Sequence, residues 1–290
     1  MNIALTGSSG LIGSQLLIDL NNMGHNILCI SSSISNSKEK NIYSYEELEL
    51  GDINFKADCL LHLASINSDL HESEVSLEVD LLEKATNIMK ILKCKHLIFF
   101  STIKVYGESS LIFQEINEDS SLEPVCFYGK AKKKCEEKIN QNSKNDPFQY
   151  LILRLPPIFI NHPKSNIGKL FKIVQKGFPI PSFSVGNENK RSLLSYDLLI
   201  LVIGIICNDL SKIKNLTLNI SDSKPISTND LYRKIGRCVS KKVKIFYLPD
   251  FIFRVMMRAN RLQLILIRLF GNFYISNAKL KQEFKIPDNF

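Results

Sequence analysis

An apolar run, Asn2–Leu5, enters Thr6-Gly7-Ser8-Ser9-Gly10-Leu11-Ile12-Gly13 and then opens a helical pattern. This turn constrains the fold more than any other feature. Glycine leaves room for a bulky anion to approach the backbone, and a helix N terminus offers that anion free N–H groups and the positive end of its dipole. Gly7 suits the tight turn, Gly10 the close approach and Gly13 the contact of helix with strand. Two residues separate each neighbouring pair of glycines, a spacing that departs from the Gly-x-Gly-x-x-Gly pattern of the standard dinucleotide turn. No lysine follows Gly13, so a nucleoside-triphosphate loop is excluded. On the turn alone, a pyrophosphate site and a ligand-free strand-to-helix turn both stay open.

Four more apolar runs follow, Asn26–Ile30, Cys59–Leu63, His96–Ser101 and Gln149–Leu153, each suited to a buried parallel strand. Helical patterns lie between them: Leu11–Met23, closed by Gly24, and Val79–Leu92, whose apolar positions recur at three and four residues. This alternation predicts an α/β fold, a Rossmann-like doubly wound parallel sheet with helices on both faces. From Pro156 the pattern changes, because Pro156, Pro157, Pro163, Pro179 and Pro181 break the chain into loops around one helix, Ile167–Lys176. The expected organisation is a dinucleotide-binding region over 1–155 and a mainly substrate-binding region over 156–290, some of which returns to the sheet. Leu198–Cys207 reads as a buried helix, Leu216–Ser221 alternates as a strand, and Ser227 to Asp230 starts a helix that runs to Val239.

With 290 residues, 44% of them hydrophobic and 23% charged, the whole chain is expected to fold. The formal charge of +8 is spread along it, and the densest lysine run, Lys130 to Lys134, falls in a predicted helix with no aromatic residues between the lysines. A solvated helix face is expected there, not a nucleic-acid patch. The seven cysteines form no Cys-x-x-Cys pair and show no zinc-like spacing with the five histidines, which predicts reduced thiols in a cytoplasm and no metal. The N terminus lacks a basic leader and a cleavage site, and the longest apolar run is far short of the roughly 20 residues that span a bilayer. Phe251–Phe273 is interrupted by Arg254, Arg258, Arg261 and Arg268, so an amphipathic helix pair packed on the protein is expected and membrane association is not. A homodimer stays open.

Of the nine tyrosines only Tyr128 has a lysine four residues later, Lys132, which puts the two on one face of a helix. A free tyrosine titrates near about 10, too high for a base at neutral pH; an adjacent ammonium and a cationic nicotinamide favour its phenolate. Tyr-x-x-x-Lys alone is a weak signal. It sharpens beside Phe99-Phe100-Ser101-Thr102-Ile103-Lys104-Val105-Tyr106-Gly107-Glu108. The glycine turn, Gly51-Asp52-Ile53, His62-Leu63-Ala64-Ser65, this stretch and Tyr128-Gly129-Lys130-Ala131-Lys132 resemble, in order, the motifs of the extended short-chain dehydrogenase/reductase family. Arg154-Leu155-Pro156, Asn166, Gly177-Phe178-Pro179, Lys190-Arg191-Ser192-Leu193 and Ser221-Asp222 extend the resemblance to the bacterial branch of UDP-glucose 4-epimerases and UDP-sugar 4-ketoreductases of surface polysaccharide synthesis.

The resemblance implies an enzyme that moves a hydride at C4 of a UDP-linked sugar with NAD or NADP. It implies Tyr128 as acid/base at the C4 hydroxyl, Lys132 on the nicotinamide ribose, and Thr102 on the same hydroxyl as Tyr128. It implies Gly7, Gly10, Leu11, Ile12 and Gly13 at the pyrophosphate, Asp52 and Ile53 at the adenine, Leu63 and Ala64 along the cofactor, and Asn166 and Arg191 at the nucleotide diphosphate. Three departures stand out. Asp80 or an adjacent residue replaces the usual asparagine of the helix after the third strand, Ile160-Asn161 replaces a usual Gly-Pro, and the chain ends early at Pro287-Asp288-Asn289-Phe290. The second strand leads to Ser31-Ser32-Ser33 with no carboxylate for the adenosine ribose, which leaves NAD and NADP both open, with Lys38 near a 2′-phosphate. Ile103-Lys104 stand where related dehydratases carry an acidic pair, so dehydration is not expected. A non-catalytic dinucleotide-binding redox sensor is the alternative reading.

Overall fold

The computed structural model describes residues 1–31, 42–51, 53–66, 70–163 and 165–287. The strands, in chain order, are β1 (Asn2–Thr6), β2 (Asn26–Ser31), β3 (Ile42–Ser44), β4 (Cys59–His62), β5 (His96–Thr102), β6 (Glu115–Ile116), β7 (Gln149–Leu155), β8 (Ile158–Phe159), β9 (Ile180–Ser182), β10 (Leu194–Ser195), β11 (Leu216–Asn219), β12 (Ile245–Tyr247) and β13 (Tyr274–Ile275). Seven of them form one sheet in the order β11-β7-β5-β4-β1-β2-β3, and every pairing in it is parallel. The order reverses between β1 and β4, and that switch point opens a crevice at the carboxyl ends of the strands, the position where doubly wound sheets bind ligands.

The sheet is buried on both faces, which is why its strands read as unbroken apolar runs. Helices α1 (Leu11–Asn22), α2 (Tyr45–Leu50), α3 (Val75–Ile91) and α4 (Phe127–Asn145) come from the first half of the chain; α5 (Asn166–Gln175), α6 (Tyr196–Asn208), α7 (Thr228–Cys238), α8 (Asp250–Met256), α9 (Asn260–Phe270) and α10 (Ala278–Phe284) follow. On one face Ile3, Leu5, Ile98 and Leu151 pack against Leu16 and Leu20 of α1, Leu198, Leu199, Val202 and Ile203 of α6, and Leu280 and Phe284 of α10. On the other face Ala4, Leu60, Leu97 and Phe99 pack against Leu48 of α2, Leu82, Ala85 and Ile88 of α3, and Cys135 and Ile139 of α4.

The five strands read from the sequence are all in the sheet, each with its end shifted by one or two residues. The strand expected over Leu216–Ser221 is β11, and it joins them from the second half of the chain by pairing with β7. β3 and α2 were not expected. Their junction is fixed by a capping box, in which Ser44 Oγ accepts from Glu47 N–H at 3.0 Å and Glu47 Oε2 accepts from Ser44 N–H at 2.7 Å. The expected amphipathic pair is α8 and α9: Phe253, Met256, Leu266 and Phe270 pack with Phe183, whereas Phe251, Val255, Leu264 and Ile265 face outward. No helix among the described residues is long and apolar enough to cross a membrane.

Candidate active site

The glycine turn closes the switch point. Gly7 adopts φ +73°, and its carbonyl accepts the Gly10 N–H at 2.9 Å. A Cβ on Gly7 would lie 2.6 Å from the Ala64 nitrogen and 2.8 Å from the Leu63 carbonyl carbon, and one on Gly13 would lie 2.1 Å from the Gly7 oxygen. The absence of side chains therefore lets β1, α1 and the exit of β4 meet, and it brings the backbone of Leu63 and Ala64 against the turn. Thr6 ties the same junction, since its Oγ1 accepts from Ala64 N–H at 3.2 Å and bonds His62 Nδ1 at 2.8 Å. Helix α1 begins at Leu11 behind Gly10 with no side-chain cap. Helix geometry leaves the first-turn N–H groups of Leu11, Ile12 and Gly13 without an intrahelical partner, and a helix start beside side-chain-free backbone fits the pyrophosphate of a nicotinamide dinucleotide.

Ile53, expected at the adenine, donates its N–H to the Gly51 carbonyl at 3.0 Å and packs against the cluster that includes Leu48. Asp52, Ser32, Ser33 and Lys38 lie outside the described residues. A side chain on Gly13 would meet the Gly7 backbone, which cannot swing aside. Gly13→Ala is therefore expected to weaken NAD binding at least about tenfold, about 1.4 kcal/mol, measured by fluorescence titration with NADH; unchanged affinity would rule out the turn as the pyrophosphate cradle.

Helix α4 carries the tyrosine and lysine. Cys126 Sγ caps it by accepting from Gly129 N–H at 3.4 Å. A Cβ on Gly129 would lie 2.5 Å from the Lys104 carbonyl oxygen, so glycine there lets α4 press onto the 3-10 turn Ile103–Val105 that follows Thr102. Tyr128 and Lys132 are thus set beside the end of β5, where Thr102 is buried and its Oγ1 accepts from Lys104 N–H at 3.3 Å. Lys132 is only 1% exposed. Its Nζ lies 2.9 Å from Glu78 Oε1 on α3, 4.7 Å from the Phe99 ring centroid and 5.9 Å from that of Tyr128. Glu78 Oε2 accepts from Ile66 N–H at 2.8 Å.

Asp80 does not occupy the position the sequence reading gave it. It is exposed, and Glu78, two residues earlier, turns inward with Val75, Leu82 and Ala85. At 100° per residue, Asp80 is carried to the far side of α3. The electrostatics differ from expectation too. Burial opposes ionisation of Tyr128, and the Glu78 carboxylate adds to that; together they outweigh the Lys132 ammonium, so the phenol titrates above its ordinary value, not below it. Burial also pushes Glu78 up, but Lys132 and the Ile66 N–H prevail and hold the carboxyl below its usual range. Burial pulls Lys132 down, and Tyr128 and Glu78 reverse that and raise it. His62, pushed down to about 3 by burial and by Lys132, is neutral at physiological pH.

A second polar network, missed in the sequence, lies behind the first. Arg154 on β7 reaches Glu136 on α4 through Nε, at 3.1 and 3.2 Å from its two oxygens, and through Nη2 at 2.7 Å. Its Nη1 donates to Tyr106 Oη at 2.7 Å, Tyr106 donates to Asn219 Oδ1 at 2.8 Å, and Ser101 Oγ donates to Glu136 Oε1 at 2.5 Å. This network joins β5, β7, β11 and α4, and so holds the helix that carries Tyr128 and Lys132 to the sheet. The two residues expected at the nucleotide diphosphate belong to the second half of the chain. Asn166 is exposed in the first turn of α5, and half-buried Arg191 donates from Nη1 to the Arg268 carbonyl at 2.7 Å, at the end of α9.

A parallel doubly wound sheet with a glycine cradle at its switch point defines a dinucleotide-binding protein. The chain belongs to the NAD dependent epimerase/dehydratase family, whose model matches residues 3–195, and it is an enzyme of that family. A UDP-glucose 4-epimerase of Vibrio cholerae is 26% identical over 297 residues, covering 97% of this chain and 89% of that protein. Among solved structures, a UDP-N-acetylglucosamine 4-epimerase from Bacillus cereus superposes with a TM-score of 0.77 at 18% identity, covering 100% of this chain and 94% of that one. A UDP-glucuronic acid 4-epimerase from Bacillus cereus in complex with NAD gives 0.73 at 18% identity, with the same coverage.

Proposed function

We propose that the chain acts at C4 of a UDP-linked hexose or N-acetylhexosamine, as a 4-epimerase or 4-ketoreductase, in a cytoplasm. The observation that carries this reading is the Tyr128–Lys132 pair, one helical turn apart on α4, which packs on the turn that follows β5. When bound, NAD would supply a hydride acceptor and donor for C4. Tyr128 then moves the proton of the C4 oxygen, Thr102 holds that oxygen by a hydrogen bond, and Lys132 orients the nicotinamide ribose. Asn166 and Arg191 engage the nucleotide diphosphate, with residues 1–155 serving mainly the cofactor and 156–290 mainly the sugar nucleotide. The buried thiols of Cys59, Cys94, Cys135 and Cys207 suit a reducing compartment.

Incubation with UDP-glucose or UDP-N-acetylglucosamine without added cofactor tests the reading. Formation of the C4 epimer identifies an epimerase, and turnover only with a 4-keto sugar and NAD(P)H identifies a reductase. No turnover in either assay by a protein that still binds NAD would overturn the proposal in favour of a redox sensor.

A further inference from the structure

A carboxylate in direct contact with the lysine of the reacting pair changes what that pair can do. Glu78 and Lys132 are each only 2% exposed at their side chains and sit 2.9 Å apart, so they form a buried pair with no net charge. The groups around Glu78 leave that balance undisturbed. From α4 it meets Lys132, Tyr128 and Cys135, whose Sγ donates to the Glu78 carbonyl at 3.7 Å. From β4 and the loop after it come neutral His62 and the Ile66 N–H. Ser65 Oγ is buried within polarising reach of both Glu78 and Tyr128 but completes no hydrogen bond of ordinary geometry with either. From β5 comes only the Phe99 ring, beneath Lys132. Among these described neighbours, the Lys132 ammonium is the one cation that could favour a Tyr128 phenolate, and the Glu78 carboxylate 2.9 Å from it offsets part of that effect, burial of the phenol opposing the rest.

Resting on the reading of Tyr128 as the acid/base, we propose that Glu78 is a positioning residue that fixes Lys132 and offsets its charge, so that Tyr128 enters the reaction as a phenol and the site takes a 4-keto nucleotide sugar for reduction. In that step C4 of the ketone receives the hydride from a reduced nicotinamide dinucleotide, which is thereby oxidised. The C=O π electrons pass to the carbonyl oxygen, which takes the Tyr128 phenolic proton, and solvent restores that proton to the phenolate. An enzyme that begins by oxidising a C4 hydroxyl needs the phenolate first, and an uncancelled ammonium would help it more.

The test is a titration of phenolate ultraviolet absorbance, in which each protein is compared with its own Tyr128→Phe counterpart so that one phenol is read. In Glu78→Gln the Tyr128 midpoint is expected to fall by at least about one pH unit, and in the double variant Glu78→Gln/Lys132→Met, where both charges are gone, it is expected to return towards the parent value. In parallel, reduction of UDP-4-keto-6-deoxyglucose with NADH is expected to outpace epimerisation of UDP-glucose at least about tenfold in the parent. Its alkaline limb should move down with the titration in Glu78→Gln and be restored in Glu78→Asp. Should Glu78→Gln fail to fold, Glu78→Ala carries the same comparison, its Tyr128 midpoint also expected to fall by at least about one pH unit below the parent. Coincident midpoints in all variants, or epimerisation as fast as reduction, would overturn the inference. Full turnover in Tyr128→Phe would instead overturn the acid/base assignment on which it rests.

Discussion

Tyr128→Phe is expected to lower kcat by about 10² to 10⁴-fold, the span contributed by a positioned acid–base group, while NAD affinity stays within about twofold. The asymmetry follows from what the substitution removes. The ring packs with Leu70, Val75 and Ala131, and phenylalanine keeps that contact; only the phenolic O–H is lost. Single-turnover kinetics beside a cofactor titration separates the two effects. Retention of more than about a tenth of the parent rate would mean that another group moves the proton.

Arg154→Met is expected to destabilise the fold by about 3–5 kcal/mol, because it strips one partner from a buried ion pair and strands the Glu136 carboxylate. Arg154 and Glu136 are each 5% exposed, and the guanidinium also satisfies the buried Tyr106 hydroxyl. An exposed pair gives the contrast. Lys90 and Asp146 lie 2.9 Å apart with side chains 62% and 43% exposed, and Lys90→Met is expected to cost no more than about 1 kcal/mol. Denaturant unfolding of both variants tests the comparison, and equal losses would remove the distinction between buried and solvated pairs drawn here.

The parallel strands were legible because a strand covered on both faces leaves a continuous apolar signature, and Asn2–Thr6 or His96–Thr102 carry little else. β3 has only three residues, too few for a period to register, although Ser44-x-x-Glu47 marked the start of α2. The glycine turn, Tyr128 and Lys132 were legible because spacing along one element fixes their geometry. Glu78 was not. The expected helix started at Val79, whereas α3 starts at Val75, so the carboxylate that turns inward fell just before the predicted element, and Asp80 was named in its place. Glu136 and Arg154 pair only because α4 crosses β7, a relation that no local period encodes.

The chain leaves the large sheet at Leu155 and comes back to it at Leu216, where β11 adds to the outer side of β7. Between and after these points α6 and α10 lie over one sheet face. A fragment cut at 155 would expose an unpaired strand edge together with a broad oily surface, the combination that leads to intermolecular strand pairing and precipitation. The first half of the chain therefore cannot be harvested as a free-standing module, because its sheet is completed and covered by the second.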